Sequence, residues 1–290
     1  MAFSGKNTKY CLELVRKYDY NNYLCSLFQP NSNIRDCVMA FRAFNIETAN
    51  IQDVVKEPKI AELRMQWWKQ MITDTFQGRP VDHPVSLEIA KCLEHTSFSK
   101  MWFLKVLNER ENHLQRTTFS SLEQLESYAE ETASSLFYLH LEALGIKNRN
   151  LEHACGHLGK SLGITTILRS IPYSLPDLFI PSEILIKNGV ASEDVIRNGP
   201  KASGNFKDAI YEVATRANDQ LLTAKSFIQE ETLGSPEIAA LLPLIPLQLF
   251  LNQLEKADFD IFSAALNRKS LYLPYAIWKA SRNSSEICPI

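Results

Sequence analysis

Apolar residues return every three or four positions in segment after segment of this chain, and no run alternates in the two-residue rhythm of a strand. That periodicity restricts the chain to helices packed on helices. In TKYCLELVRKYD, Tyr10, Leu14 and Tyr18 share one face at four-residue spacing. NYLCSLFQP is short, apolar and stopped by Pro30, and Asn and Ser stand ready to cap NSNIRDCVMAFRAFNIETANIQDVV. PKIAELRMQWWKQMITDTFQG carries Pro58 near its first turn and Gly78 at its end, the asymmetry expected of a helix. HPVSLEIAKCLEHT and SKMWFLKVLNERENHLQRT follow. In SSLEQLESYAEETASSLFYLHLEALGI, Ser121 with Gln124, or Ser120 with Glu123, suggests a capping box, and Gly145 the stop. PDLFIPSEILIKNGV reads as a Pro-bounded loop and a short helix. FKDAIYEVATRANDQLLTAKSFIQ is long and amphipathic, and SPEIAALLPLIPLQLFLNQLEKADF and SLYLPYAIWKASR close the chain. The expectation is one all-α domain over residues 1–290, built from about ten helices without repeats or a flexible linker.

Composition removes several function classes. Only 10 glycines occur in 290 residues, and no GxGxxG or GxxxxGK[ST] is present. Nucleotide-loop readings therefore lose their main support. A net charge of −2 without clustered Lys or Arg gives no nucleic-acid footprint. The six cysteines are widely spaced and form no CxxC, so they read as reduced thiols. No eighteen-residue apolar run exists, which argues against a membrane span on length. AALLPLIPLQLFL, with two prolines, reads as a buried kinked helix, with peripheral membrane contact as the minor alternative. MAFSGKNTKY lacks the pattern of a presequence or secretory signal, which decides little about location.

Three patterns bear on chemistry. Gly156, Gly159 and Gly163 form a small-residue stripe along NLEHACGHLGKSLGITTILRSIPYSL, where a neighbouring helix or a ligand can approach closely. Glu47, Asn50 and Asp53 recur every third residue, a broad polar stripe that either faces a cleft and holds Mg²⁺ or faces water. His153 and His157 have the spacing of two zinc ligands but no second ligand pair. Glu109, Arg110 and Glu111 read as a solvated face. Trp67 and Trp68 must point apart, one into the core and the other into the core or toward a partner.

YLCSLFQP, AFRAFNIETANIQD, AELRMQWWK, YAEETASSL, HLGKSLGITTILRSIPY and LFIPSEILIKNGV occur in the order seen in squalene and phytoene synthases. The chain resembles that family from about Tyr10 to Trp278. The resemblance implies an isoprenoid-synthase-like all-α bundle around a central apolar cavity. In active members, two Asp-rich motifs on facing helices hold Mg²⁺ ions that grip a prenyl diphosphate.

Where active members read roughly AFxRxxDDxxD, this chain has Ile46 for the arginine and Ala49 and Asn50 for the first two aspartates. Asp53 alone keeps its carboxylate, and Glu47 is an extra acid one turn earlier. Where they read NILRDxxED, Arg169 survives, while Ser170, Tyr173 and Ser174 replace the acids and Pro172 is expected to bend the helix. The remnant pocket candidates are Glu47, Asn50, Asp53, Arg64, Tyr128, Thr166 and Arg169, with no catalytic residue, metal or cofactor assigned. Arg64 and Arg169 are expected to bridge helices through carboxylates such as Glu62 or Glu131.

AFNxE and RxQWW look most like a mitochondrial branch of the family whose members assist early assembly of respiratory complex I. The resemblance thus implies a non-catalytic assembly factor that meets complex I subunits or other assembly factors. It further implies a matrix-side location peripheral to the inner membrane and room for a lipid in the old cavity. The alternatives from other classes are an Mg²⁺-dependent prenyltransferase and an isoprenoid or lipid carrier.

Overall fold

The computed structural model describes residues 5–55, 57–114, 116, 118–175, 177–199, 205–266, 268 and 270–288. Met1–Ser4 of the N-terminal segment and the Pro176 loop boundary lie outside the described residues. Among those described, every regular element is helical. The first half contains α1 (Lys6–Tyr18), α2 (Tyr20–Ser26), α3 (Ser32–Val54), α4 (Pro58–Phe76), α5 (Pro84–Leu93) and α6 (Lys100–His113). Next come α7 (Leu122–Ala129), a π-helical turn (Glu130–Ser134), α8 (Ser135–Leu144) and α9 (Arg149–Ser174). The chain ends with α10 (Ser182–Lys187), α11 (Ser192–Asn198), α12 (Asn205–Gln229), α13 (Ser235–Leu241), α14 (Leu244–Lys256) and α15 (Leu273–Arg282).

Local chemistry sets these boundaries. The Asn31 side chain accepts from Ile34 N at 3.0 Å to start α3, and Asn148 accepts from Leu151 N at 3.1 Å to start α9. At α7 the Ser121 hydroxyl accepts from Gln124 N at 3.2 Å, while Gln124 Oε1 reaches back to Ser120 N at 2.7 Å. The box is therefore Ser121 with Gln124, displaced by one residue on its return bond. Gly145, at φ 70°, closes α8 in the left-handed conformation. α9 stays helical for two residues past Pro172, although that proline removes one backbone donor.

Two apolar cores result. One gathers α1, α3, α4, α5 and α6, with Phe41, Phe44, Phe98 and Phe103 meeting edge to face at centroid distances of 4.9–5.7 Å. The other surrounds the long pair α9 and α12. α8 belongs to both, because Leu136 and Leu139 enter the first core and Phe137 and Leu141 the second. A ten-residue helix with two buried faces is the seam of the fold.

The small-residue stripe of α9 has a packing cause. A Cβ on Gly159 would sit 2.4 Å from Ser134 Cα, and one on Gly163 would sit 2.9 Å from Ala129 Cα. The stripe is filled by the α7–π–α8 backbone, and the Ser134 hydroxyl donates to Gly156 O at 2.8 Å across the contact.

The membrane argument from length is corrected. Ser235–Lys256, spanning α13 and α14, is 22 residues long with a mean hydropathy of 1.4, enough by length and composition to cross a bilayer. Burial of 67% of its most apolar window, with Leu241, Leu244, Leu247 and Leu254 in the second core, identifies it as a core segment.

Candidate functional site

Glu47, Asn50 and Asp53 all lie on α3, but they do not act as one stripe. The Glu47 carboxylate accepts the hydroxyl proton of Tyr10 on α1, in the aromatic company of His83. Burial first, then the Glu47 carboxylate, holds the Tyr10 hydroxyl in its protonated form by raising its pKa. Asp53 stands at the other edge, where burial and the charge of Asp177, just beyond α9, raise its pKa. Six residues turn a helix by roughly 120° net of whole turns, so the two ends of the stripe meet different neighbours. The two ends of the stripe therefore take different partners, Tyr10 at Glu47 and Asp177 near Asp53.

The remaining motif residues lie on α9. Thr166 is exposed, with its hydroxyl bonded back to Leu162 O at 2.7 Å. Arg169 is exposed, and its guanidinium lies 5.7 Å from the centre of the Phe250 ring. Ser170 bonds Ile167 O at 2.8 Å, and Ser174 bonds Asp177 O at 3.0 Å. These hydroxyls satisfy their own backbone rather than reaching into a cleft. Among the described residues no ion pair joins Arg64 or Arg169 to Glu131, which pairs with Lys105 at 3.0 Å. Arg64 sits exposed on α4, away from the α9 face.

Arg110 is the residue that sequence reading misplaced. It is buried, not solvated. Its Nη1 donates to Asn45 O at 2.8 Å and to the Thr48 hydroxyl, and its Nη2 donates to Asn45 Oδ1 at 2.6 Å. Its Nε has no partner, and no carboxylate pairs with it among the described residues. Burial lowers its pKa, with Tyr128 opposing that shift. Tyr128 in turn packs on His113 at 4.8 Å and on Phe119 at 5.4 Å. Phe103, Val106, Leu107 and Arg110 follow helical spacing on one buried face, and that register could have revealed the site. Its two charged neighbours turn elsewhere. Glu111 pairs with Lys69 at 2.6 Å, and Glu109 lies 3.2 Å from His113.

The residues present do not fit the metal set of active family members. Mg²⁺ needs near-octahedral oxygen ligation, and the mouth offers Asp53 and Asp177 as its carboxylates. Among the described residues no three His, Cys, Asp or Glu gather to hold an ion. His153 and His157 instead stack on Phe227 at 5.4 and 5.9 Å, and His157 Nδ1 meets Gln220 Oε1 at 2.6 Å. Cys155 is buried on another face of α9.

Comparison with known proteins places this geometry. The chain is 40% identical over 271 residues to human NADH dehydrogenase (ubiquinone) complex I, assembly factor 6, covering 93% of this chain and 80% of the relative. A Drosophila melanogaster protein named as the homolog of that factor is 33% identical over 290 residues, covering 97% and 85%. A dehydrosqualene synthase crystal structure superposes with a TM-score of 0.80 at 17% identity, covering 96% of this chain and 95% of that one, which establishes the isoprenoid-synthase fold. The squalene/phytoene synthase family model matches residues 15–275, and the chain belongs to that family.

Proposed function

We propose that this chain is a non-catalytic member of its family that promotes early assembly of mitochondrial respiratory complex I (NADH:ubiquinone oxidoreductase). The observation that carries the reading is its 40% identity, over nearly its whole length, to a human protein named as a complex I assembly factor. The mouth geometry supports the non-catalytic part. Glu47 is committed to Tyr10, Asp53 is repelled by Asp177, and the nearby buried cation is a guanidinium held by amide and hydroxyl oxygens. Diphosphate departure needs metal or concentrated positive charge at the leaving group. A lone Asp53 facing Asp177 supplies neither.

On this reading the chain works as a scaffold in the matrix, peripheral to the inner membrane, and contacts complex I subunits or other assembly factors. The old cavity is left as packing space or as a lipid site. One experiment tests the reading. Cells lacking the protein are complemented with wild type or with Glu47→Gln/Asp53→Asn, and assembled complex I is read on native gels. Equal rescue by both is the expected result. Rescue by wild type alone, with the variant folded and abundant, reopens the enzyme reading. Pyrophosphate release from a prenyl diphosphate, abolished by EDTA and by Asp53→Asn, establishes it.

A further inference from the structure

α4 presents its apolar residues in two directions. Ala61, Met65, Trp68, Met71 and Ile72 are buried against the first core. Ile60, Leu63 and Trp67 are 48, 64 and 46% exposed. They follow the spacing i, i+3, i+7 and point roughly 120° from the buried set. A helix that packs on one partner has no use for a second seam of that period. At one end the seam is stiffened, because the Trp67 ring meets Trp68 at 5.3 Å and His83 at 5.6 Å, and His83 meets Tyr10 at 6.4 Å. The exposed indole is therefore held in place by rings and loses little freedom when covered.

The charges beside the seam select its occupant. At 100° per residue, Lys59 and Arg64 border the apolar strip on opposite sides, with Gln66 and Gln70 as the neutral neighbours. Both cations are exposed. Two copies of this chain paired through the strip would set these cations against each other, which disfavours self-association. An anionic lipid surface needs a dense cationic face. Here Lys69 is already tied to Glu111, and Asp74 continues the line of the strip. An amphipathic helix with acidic flanks meets both the spacing and the charge.

We propose that the Ile60–Leu63–Trp67 face of α4 docks an amphipathic helix of a protein partner, one that carries apolar residues at the same spacing and Asp or Glu along both edges. The inference rests on the assembly-factor reading and names the surface that reading requires. Trp67 is the anchor, Leu63 and Ile60 extend the contact along one and two further turns, and Lys59 and Arg64 set its orientation.

The test uses the full chain in cells lacking the endogenous protein. Leu63→Asp is the lead variant because that side chain is mostly in water and its loss spares the fold. Lys59→Glu/Arg64→Glu tests the charge requirement, and Tyr275→Ser/Trp278→Ser, both exposed on the outer face of α15, is the control. A benzophenone side chain replacing Leu63 reports the contact directly. The expected result is a fall of about tenfold in assembled complex I for Leu63→Asp and for the charge-reversed pair, with normal protein levels and melting. The control should remain at wild-type level. The benzophenone adduct should map to an acidic-edged helix of a complex I subunit or assembly intermediate, and should disappear on charge reversal. Full rescue by Leu63→Asp overturns the docking face while leaving the assembly reading intact. So does an adduct confined to lipid or to a second copy. Failure of wild type itself to rescue overturns the assembly reading instead.

Discussion

Gly159 on α9 lies against Ser134 so closely that a Cβ at position 159 would fall 2.4 Å from Ser134 Cα and 2.6 Å from its backbone nitrogen. Neither backbone atom can rotate away. Ser134 ends the π-helical turn, so the widened turn and the bare glycine meet at one point.

Gly159→Ala is expected to destabilise the protein by about 2 kcal/mol, since overpacking outweighs the roughly 1 kcal/mol that alanine gains in a helix. Gly156→Ala should be nearly neutral. Its added Cβ meets the Tyr138 hydroxyl at 2.5 Å, the movable end of a side chain. Urea midpoints of the two variants, compared with wild type, check the contrast. Equal effects would mean that α9 shifts freely against the α7–α8 segment.

The buried guanidinium of Arg110 makes its contacts with two different nitrogens, Nη1 and Nη2. Lysine cannot reproduce that fork and would leave a compact, strongly hydrated charge in the interior. Arg110→Lys is therefore expected to cost about 2–3 kcal/mol. Arg110→Met removes the charge along with its desolvation penalty and is expected to cost about 1 kcal/mol or less, because half-buried Asn45 can turn to water. The order of urea midpoints should be wild type, Met, then Lys. Lysine above methionine would show that the charge matters more than the fork.

His140 on α8 is buried, with Nε2 2.7 Å from Gln29 Oε1. Burial, reinforced by the nearby Arg42 charge, lowers its pKa to about 3. The folded protein thus keeps His140 neutral where the unfolded chain binds a proton. Stability is full above the unfolded value of 6.5 and falls as pH drops from there toward 3. The slope contributed by this one histidine is on the order of 1.4 kcal/mol per pH unit. His83 and His113 are lowered by burial too and add in the same direction. His140→Leu is expected to flatten the fall in urea midpoint between pH 6 and pH 4, whatever its effect at pH 7. An unchanged slope would place the acid sensitivity elsewhere.

The elements themselves were legible because they rest on short-range chemistry. Asn31, Pro58, Ser121 and Gly145 act within a few residues of their own position, and the structure uses each as the sequence suggests. Site residues depend on what stands opposite them, and that information is spread along the chain. The Glu47–Asp53 stripe divided because Tyr10 and Asp177 approach from different sides. Arg110 looked like part of a solvated run because its charge was weighed ahead of its register with Phe103 and Leu107. The π-helical turn left no readable signal in its own residues; it lies where the chain packs against Gly159 and Gly163 of α9.

Asp53 provides the sharpest check on whether the mouth retains function. Burial and Asp177 raise its pKa, so the folded state holds the proton more tightly than the unfolded chain does. A carboxyl shifted in that direction costs stability as pH rises through its folded value, and the penalty persists at neutral pH. Asp53→Asn removes that penalty and is expected to leave the melting temperature equal or slightly higher at pH 7, with the difference vanishing below pH 4. Much of the repulsion is screened because the side chain is exposed. A functional metal ligand behaves in the opposite way, since a bound cation relieves the repulsion between Asp53 and Asp177. Melting curves of wild type and Asp53→Asn with and without Mg²⁺ therefore separate the two cases. Equal curves with and without the ion fit a remnant, whereas Mg²⁺-dependent stabilisation of wild type alone would show a working site.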